Sequence, residues 1–167
     1  MAIFILLPIS LNDHQKRILG PTMSSIPEYM TAKHRQCDDF FSQAESAVAK
    51  QDWPLALAKW NLFSQEFAEH LSQEEDTLFP HFEHATGMTS GPTQMMCMEH
   101  QQMRSLVEDL DKALKTKNKI AYLGLSETLM VTMQQHNMKE EMMLYPMMEQ
   151  HLSQGAQLVA EFKTKSN

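Results

Sequence analysis

Hydrophobic positions recur at alternating spacings of four and three residues in four long segments of the chain, as on one face of a helix. The first segment covers about residues 27–50, and the second follows Asp52, a residue type that often caps helix N-termini. The third follows a loop at residues 85–92, and the fourth runs from a polar turn at residues 117–119 to about residue 154. The stripe of the first segment consists of Met30, His34, Cys37, Phe41, Ala44 and Val48.

Four helices with short connections bury such stripes most simply as an up-down-up-down antiparallel four-helix bundle. We therefore predict an all-α protein with this bundle over residues 27–154, a short N-terminal arm at residues 1–26 and a C-terminal tail at residues 155–167. A length of 167 residues is typical of one domain. Fifteen methionines against five glycines also favour helices.

The second half of the pattern repeats the first half at a distance of 66 positions. Polar members of the stripes take part in this repeat, and they are His34, His70 and Glu74, then His100, His136 and Glu140. The residues after the two glutamates also match, since Glu-x2-Leu-Phe-Pro follows Glu74 and Glu-x2-Leu-Tyr-Pro follows Glu140. The repeat predicts two helix pairs related by a pseudo-two-fold axis.

These four histidines and two glutamates interrupt apolar stripes, where an unpaired carboxylate or imidazole would cost several kcal/mol to bury. A His and a Glu at positions i and i+4 lie one turn apart on one helix face, so both can point at one centre. A carboxylate has two oxygens and can bridge two cations, whereas an imidazole caps one. The residues therefore predict a two-metal site, and their nitrogen and oxygen donors suit iron, manganese or zinc.

Charge and cysteine content narrow the function classes. A net charge of −7 and a pI near 5.6 argue against nucleic acid and anionic membrane surfaces as partners. Cys37 and Cys97 are too few for a disulfide framework and are expected to be reduced thiols in the cytoplasm.

Residues 2–9 are apolar but too short to span a bilayer, and they lack the features of a secretory signal. We expect this N-terminal arm to pack on the domain or on the partner subunit of a homodimer. A translation start at Met23 is the alternative.

With these residues the chain resembles the hemerythrin-like (HHE cation-binding) family over residues 27–152. The matching features are a His on the first and third helices, His-x3-Glu before Leu-Phe-Pro on the second helix, and a further His motif on the fourth. The resemblance implies a four-helix bundle around two iron ions, a di-iron centre with an oxo or hydroxo bridge as one form. Manganese and zinc stay alternatives because the donor set suits them as well. The four histidines would be terminal ligands, and Glu74 and Glu140 would be bridging carboxylates.

The chain departs from the oxygen-carrying members of that family at two positions. Arg104 stands where the carriers have a fifth histidine, and Glu140 follows the last histidine by four residues, where the carriers place an Asp after five. The set of four histidines and two glutamates resembles instead the branch with iron-centre repair proteins and the iron-sensing domain of an F-box ubiquitin ligase subunit. This difference weakens the prediction of reversible oxygen storage.

Charged residues beside the predicted ligands carry further expectations. Arg104 has Asp38 as its counterpart in the repeat, and each lies one turn from a ligand histidine. We consider an Asp38–Arg104 ion pair that closes one end of the metal cavity, with two solvated side chains as the alternative. Glu75 and Glu141 are expected to be solvated or to contact the ligands from outside.

Prolines and methionines near the site also carry expectations about its shape. Pro80 and Pro146 remove a backbone donor and are expected to bend their helices through a bulge, with a simple helix end as the alternative. Met133, Met143 and Met147 are expected to line the cavity, with gas access between them.

The predicted function is a cytoplasmic non-haem di-iron protein that binds or senses O2, NO or a redox state, with a small diatomic molecule as partner. The alternative is a di-iron enzyme or repair factor that acts in iron–sulfur cluster repair, NO or peroxide chemistry, Fe(II) oxidation or iron delivery. A structural bundle that holds zinc is a third interpretation. The sequence shows no nucleophile triad and no Gly-rich phosphate loop, so any catalysis would belong to the metal.

Overall fold

The computed structural model describes residues 24–165, which are helical apart from short connections and contain no β-strand. The helices are α1 (Ile26–Ala49), α2 (Trp53–Gln73), α3 (Phe79–Thr86), α4 (Pro92–Lys115), α5 (Lys119–Lys139), α6 (Tyr145–His151) and α7 (Gly155–Lys165). A first π-segment, Glu74–Leu78, joins α2 to α3, and a second π-segment, Glu140–Leu144, joins α5 to α6. The prediction of an all-α protein is confirmed for these residues.

Polar caps begin the long helices where the sequence changes from turn to stripe. The Ser25 hydroxyl accepts a hydrogen bond from the backbone N–H of Glu28, and the Glu28 carboxylate accepts one from the N–H of Ser25. The Asp52 carboxylate accepts from the N–H of Leu55, so the predicted N-cap is confirmed. Such caps satisfy backbone donors that the first helical turn leaves free.

The two π-segments have the two prolines as their physical cause. Pro80 has no N–H to donate to the carbonyl four residues earlier. The helical turn before it contains one additional residue and forms a π-segment instead. The backbone N–H of Phe79 donates to the carbonyl of Glu74, and that of Tyr145 donates to the carbonyl of Glu140. The predicted bulge is confirmed, and the interpretation as a simple helix end is wrong.

Two apolar clusters lie on either side of the polar stripe positions. The first cluster contains Phe41, Trp60, Phe63 and Tyr122, and the second contains Ile26, Phe82, Tyr145 and Met148. Along α1, His34 falls between Met30 of the second cluster and Cys37 of the first; along α4, His100 falls between Met96 and Met103 in the same way. The two clusters therefore enclose the polar positions and separate them from solvent.

The segment predicted as a tail forms a packed helix over Gly155–Lys165. Leu158, Val159 and Phe162 are buried in the second apolar cluster, and the Phe162 ring stacks on Tyr29 with ring centroids 5.9 Å apart. The preceding helix ends at His151, before the predicted end near residue 154. Gly155 begins α7, and a Cβ there would lie 3.0 Å from Cδ1 of Ile26, so a larger residue would require the Ile26 side chain to shift by a few tenths of an ångström.

Most of the predicted N-terminal arm, with its proposed subunit contact, lies outside the described residues. Among residues 24–165, no helix is long and apolar enough to cross a membrane. The predicted boundaries of arm, bundle and tail stay predictions.

Candidate metal centre

The structure brings all six predicted ligands together in the core, where each is at most 4% exposed. Four long helices supply the histidines, and the two glutamates are the first residues of the two π-segments. The donor atoms form two overlapping groups, in each of which the atoms lie within 4.8 Å of one another. The first group is Glu74, His100, His136 and Glu140, and the second group is His34, His70 and Glu140.

All four imidazoles direct Nε2 at a carboxylate oxygen. On the Glu140 side, Nε2 of His136 lies 3.1 Å from Oε1 and Nε2 of His34 lies 3.2 Å from Oε2. On the Glu74 side, Oε2 lies 3.4 Å from Nε2 of His100 and 3.5 Å from Nε2 of His70. Nitrogen and oxygen donors therefore converge on a common centre.

Several buried atoms of this cluster have no hydrogen-bond partner among the described residues. They are Nδ1 and Nε2 of His70, Oε2 of Glu74 and Oε1 of Glu140. Each unsatisfied buried polar atom costs about 1–3 kcal/mol, and more for a charged group. A cation bound between imidazoles and carboxylates removes this cost, so the donor set fits a metal.

Burial keeps the imidazoles of His70 and His100 in the form that binds metals. Desolvation, with the neighbouring His34, lowers the pKa of His70 well below its ordinary value. Burial and the neighbouring His136 lower the pKa of His100 to about 4. Both rings are neutral at physiological pH, and a neutral imidazole offers a lone pair to a cation.

The two buried carboxylates are too close for both to be charged without a cation. Desolvation and the neighbouring Glu140 carboxylate raise the pKa of Glu74 well above its ordinary value. Two like charges held in a low-dielectric core repel strongly, and one proton or a positive ion relieves this repulsion. A bound cation therefore competes with that proton.

Three of the four imidazoles donate from Nδ1 to a carboxylate at the edge of the cluster. The acceptors are Glu141 for His34 at 2.7 Å, Glu75 for His100 at 2.7 Å, and Glu99 for His136 at 2.9 Å. Such bonds set the tautomer, because a proton on Nδ1 leaves the lone pair of Nε2 directed at the metal position. Glu75 and Glu141 thus contact the predicted ligands, as one of the two interpretations expected, and Glu99 was not predicted.

Arg104 does not pair with Asp38, and the predicted Asp38–Arg104 ion pair is wrong. The guanidinium donates two hydrogen bonds to Glu75, at 2.8 and 2.9 Å, while Asp38 is exposed. The planar guanidinium matches both oxygens of one carboxylate, and Glu75 on the first π-segment presents them at the required position. On the other side, Lys139 pairs with Glu99.

Tyr145 also belongs to the cluster, and sequence reasoning missed it. Its hydroxyl lies 2.6 Å from Oε1 of Glu74, 2.9 Å from Oε2 of Glu140 and 3.1 Å from Nε2 of His34. The internal repeat could have indicated this residue, since Tyr145 stands at the position that Phe79 occupies in the first half and adds a hydroxyl group there.

A small cavity of about 10 Å³ touches the histidine side of the cluster, and this volume admits about one water-sized molecule. Met133 and Met103 line it with His34, His70 and His136. Met143 was expected to line the cavity as well, and this expectation is wrong because Met143 is 62% exposed. Met147, the third methionine of that expectation, packs against the second apolar cluster.

Cys37 lines the same cavity and is buried. Burial and the nearby Glu66 carboxylate raise the pKa of its thiol to about 12, so the thiol stays protonated and behaves as a small apolar side chain.

A chain whose residues 24–165 form helices around a buried group of imidazoles and carboxylates belongs to the class of metal-binding helical proteins. The family of the hemerythrin HHE cation binding domain matches residues 25–148, and the chain belongs to this family. Among curated proteins, it is similar to an uncharacterized hemerythrin-like protein of Schizosaccharomyces pombe, with 28% identity over 151 residues that cover 90% of this chain and 72% of that protein. No solved structure matches the chain.

Proposed function

We propose that the buried cluster holds two iron ions and that the protein binds or senses O2, NO or a redox state there. The proposed ligands are His34, His70, Glu74, His100, His136 and Glu140. One observation carries the proposal: four imidazoles and two carboxylates share a closed core in which four of their polar atoms lack a hydrogen-bond partner among the described residues.

The residues of the chain have separate tasks in this proposal. The four imidazoles would each hold one metal ion, and Glu74 and Glu140 would be the carboxylates that the two ions share; Glu140 is the glutamate that belongs to both donor groups. Glu141, Glu75 and Glu99 accept hydrogen bonds from Nδ1 of three of these imidazoles and so keep Nε2 free to bind the metal. Bound iron supplies open coordination positions and one-electron redox chemistry, and the two apolar clusters exclude water from it.

The proposal includes an up-down-up-down antiparallel bundle with pseudo-two-fold symmetry. Its support is that α4 and α5 begin and end 66 residues after α1 and α2, and that the two π-segments keep the same offset. Within each half the two long helices pack against each other. A cytoplasmic location, and the absence of nucleic acid and membrane partners, continue to rest on the charge and cysteine content of the chain.

The second candidate function is an iron-dependent enzyme, or a factor that delivers iron or repairs iron–sulfur clusters. Arg104 favours it, because its side chain is held by Glu75 and no fifth imidazole joins the described cluster. The cluster therefore lacks the additional histidine that the resemblance associates with reversible oxygen carriage.

Anaerobic loading with Fe(II) tests the proposal and separates the two candidates. We expect two irons per chain, measured by elemental analysis, followed by a change in the visible spectrum when O2 or NO is added. A reversible O2 or NO adduct supports ligand binding, and irreversible oxidation supports an oxidase of the second candidate or a redox sensor. A wild-type protein that takes up no iron would refute both.

A pair of histidine variants supplies the matched control. His70→Ala removes a buried imidazole of the cluster, whereas His84→Ala removes an exposed imidazole of α3. We expect metal content to fall in the first variant and to stay unchanged in the second. Unchanged metal content in both variants would show that iron binds elsewhere.

A further inference from the structure

The Tyr145 side chain is fully buried at the beginning of α6, directly after the second π-segment. Three oxygen or nitrogen atoms lie within 3.1 Å of its hydroxyl, and they belong to Glu74, Glu140 and His34. All three residues are proposed metal ligands. The hydroxyl is therefore inside the donor cluster, not beside it.

The hydroxyl has more acceptors around it than it can satisfy. Two neighbours are carboxylate oxygens, and the third, Nε2 of His34, is an acceptor because the Nδ1–H of that ring donates to Glu141. A phenol donates one hydrogen bond, and the proton on one of the two carboxyl groups satisfies a second contact, so at least one of the three close contacts joins lone pairs to lone pairs. A cation among these atoms turns that repulsive contact into an attractive one.

The two donor groups are unequal without this hydroxyl. The first group has two imidazoles and two carboxylates, whereas the second has two imidazoles and only Glu140. Tyr145 contacts Glu140, which both groups share, Glu74 of the first group and His34 of the second, and His34 is the one imidazole that its hydroxyl contacts among the described residues. Its oxygen gives the second group four donor residues, as many as the first.

The internal repeat shows that this oxygen is present in one half only. Phe79 stands at the corresponding position 66 residues earlier, and its ring stacks on His100 with centroids 5.8 Å apart. The Tyr145 ring lies 5.6 Å from His34 in the related contact. The same ring position is occupied in both halves, and the halves differ there by one hydroxyl group.

We propose that Tyr145 is a direct ligand of the metal ion held by His34, His70 and Glu140, an inference that rests on the proposed di-iron function. On coordination the phenolic O–H bond is exchanged for an oxygen–metal bond, and the proton leaves to solvent water. The phenolate adds one negative charge at one metal position and none at the other. That position then favours Fe(III) over Fe(II) by the attraction between opposite charges, so the two irons differ in redox preference.

The experiment uses the full chain loaded with Fe(II) under argon and then oxidised to Fe(III) with ferricyanide. A phenolate bound to Fe(III) produces a charge-transfer band in the visible. Raman scattering excited within that band shows tyrosinate ring vibrations, which shift when ring-deuterated tyrosine is incorporated. We expect the band and the vibrations in the wild type, together with two irons per chain.

Tyrosine variants assign the band to one residue, because the chain has only three tyrosines, Tyr29, Tyr122 and Tyr145. Tyr145→Phe should abolish the band, and a chelator should remove one of its two irons faster than from the wild type. Tyr122→Phe is the matched control, since Tyr122 is also fully buried but packs against Trp60 in the first apolar cluster. Tyr29→Phe should likewise leave the band unchanged.

The possible results separate the two proposals. Two irons per chain without tyrosinate vibrations would overturn the role of Tyr145 and leave the di-iron function standing. Absence of iron from the wild type would defeat the di-iron function itself. If Tyr145→Phe does not fold, retention of the band in both other variants assigns it to Tyr145 by elimination, and loss of the band in either one overturns the assignment.

Discussion

Glu75 is predicted to control the metal affinity of His100 although it is not a proposed ligand. Its carboxylate accepts a hydrogen bond of 2.7 Å from Nδ1 of His100 and two from Arg104 at 2.8 and 2.9 Å. Burial raises the pKa of Glu75, but the hydrogen bonds from Arg104 and His100 outweigh it and hold the pKa below its ordinary value. The carboxylate is therefore charged at neutral pH, and it makes the imidazole a stronger donor.

Glu75→Gln removes that charge and keeps the shape of the side chain. Loss of a partner that orients a metal-bound histidine lowers metal affinity about 10- to 100-fold, which corresponds to about 1.4–2.7 kcal/mol. The accompanying loss of the ion pair with Arg104 is small, about 0.5 kcal/mol, because the two side chains are 41% and 26% exposed. We therefore expect a large change in metal affinity and a small change in the unfolding free energy of the metal-free protein.

Competition with a chelator of known affinity, under argon with Fe(II), measures the first quantity, and urea unfolding of the metal-free protein measures the second. Arg104→Gln is the control that breaks the ion pair and leaves the bond between Glu75 and His100. It should weaken binding only about twofold, as expected for about 0.5 kcal/mol. A folded Glu75→Gln protein with wild-type affinity would refute the reasoning, and so would equal losses in the two variants.

Three further predictions concern the ligands, the core and the dependence on pH. Glu140→Ala should lower metal content, because Glu140 belongs to both donor groups, and a variant with two tightly held irons would contradict its assignment as a ligand. Phe63→Ala should lower the unfolding free energy, measured in urea, by about 3–5 kcal/mol, because this fully buried ring packs against Phe41 and Trp60. An unchanged unfolding curve would contradict this packing role. Burial raises the pKa of Glu99, but hydrogen bonds from Lys139 and His136 outweigh this effect and lower the pKa below its ordinary value of 4.5. The charged carboxylate therefore stabilises the fold above about pH 4.5, and this stability is lost as the pH falls through the lowered pKa. Glu99→Gln should therefore weaken the acid dependence of metal-free unfolding, and identical acid curves for variant and wild type would count against it.

The long helices and the positions of the six candidate ligands were predictable from sequence because both depend on short-range regularities. Alternating spacings of four and three define one helix face, and a histidine on that face is carried into the core with its apolar neighbours. The repeat supplied a second copy of each position, which separated His70 and Glu74 from an ordinary surface pair. The bulge at Pro80 was also predictable, because a missing N–H is a local property of the backbone.

The partners of the charged side chains were not predictable in the same way. Arg104 has Asp38 as its counterpart in the repeat but binds Glu75, and His136 donates to Glu99, whose counterpart in the repeat is Lys33. Such pairings depend on how far each helix is rotated and shifted along its neighbour. Spacing within one helix does not contain that information.

By itself, the sequence determined the four long helical segments, which face of each segment is buried and which polar residues that face carries. Only the tertiary structure decided that Tyr145 enters the cluster and that Gly155–Lys165 packs as a helix. It also decided that three of the four imidazoles donate a hydrogen bond from Nδ1 to a carboxylate. The physical reason is the range of the interactions. A helix face is set by neighbours within about four residues, whereas the hydroxyl of Tyr145 meets His34 across 111 positions of sequence, through packing that no local pattern records.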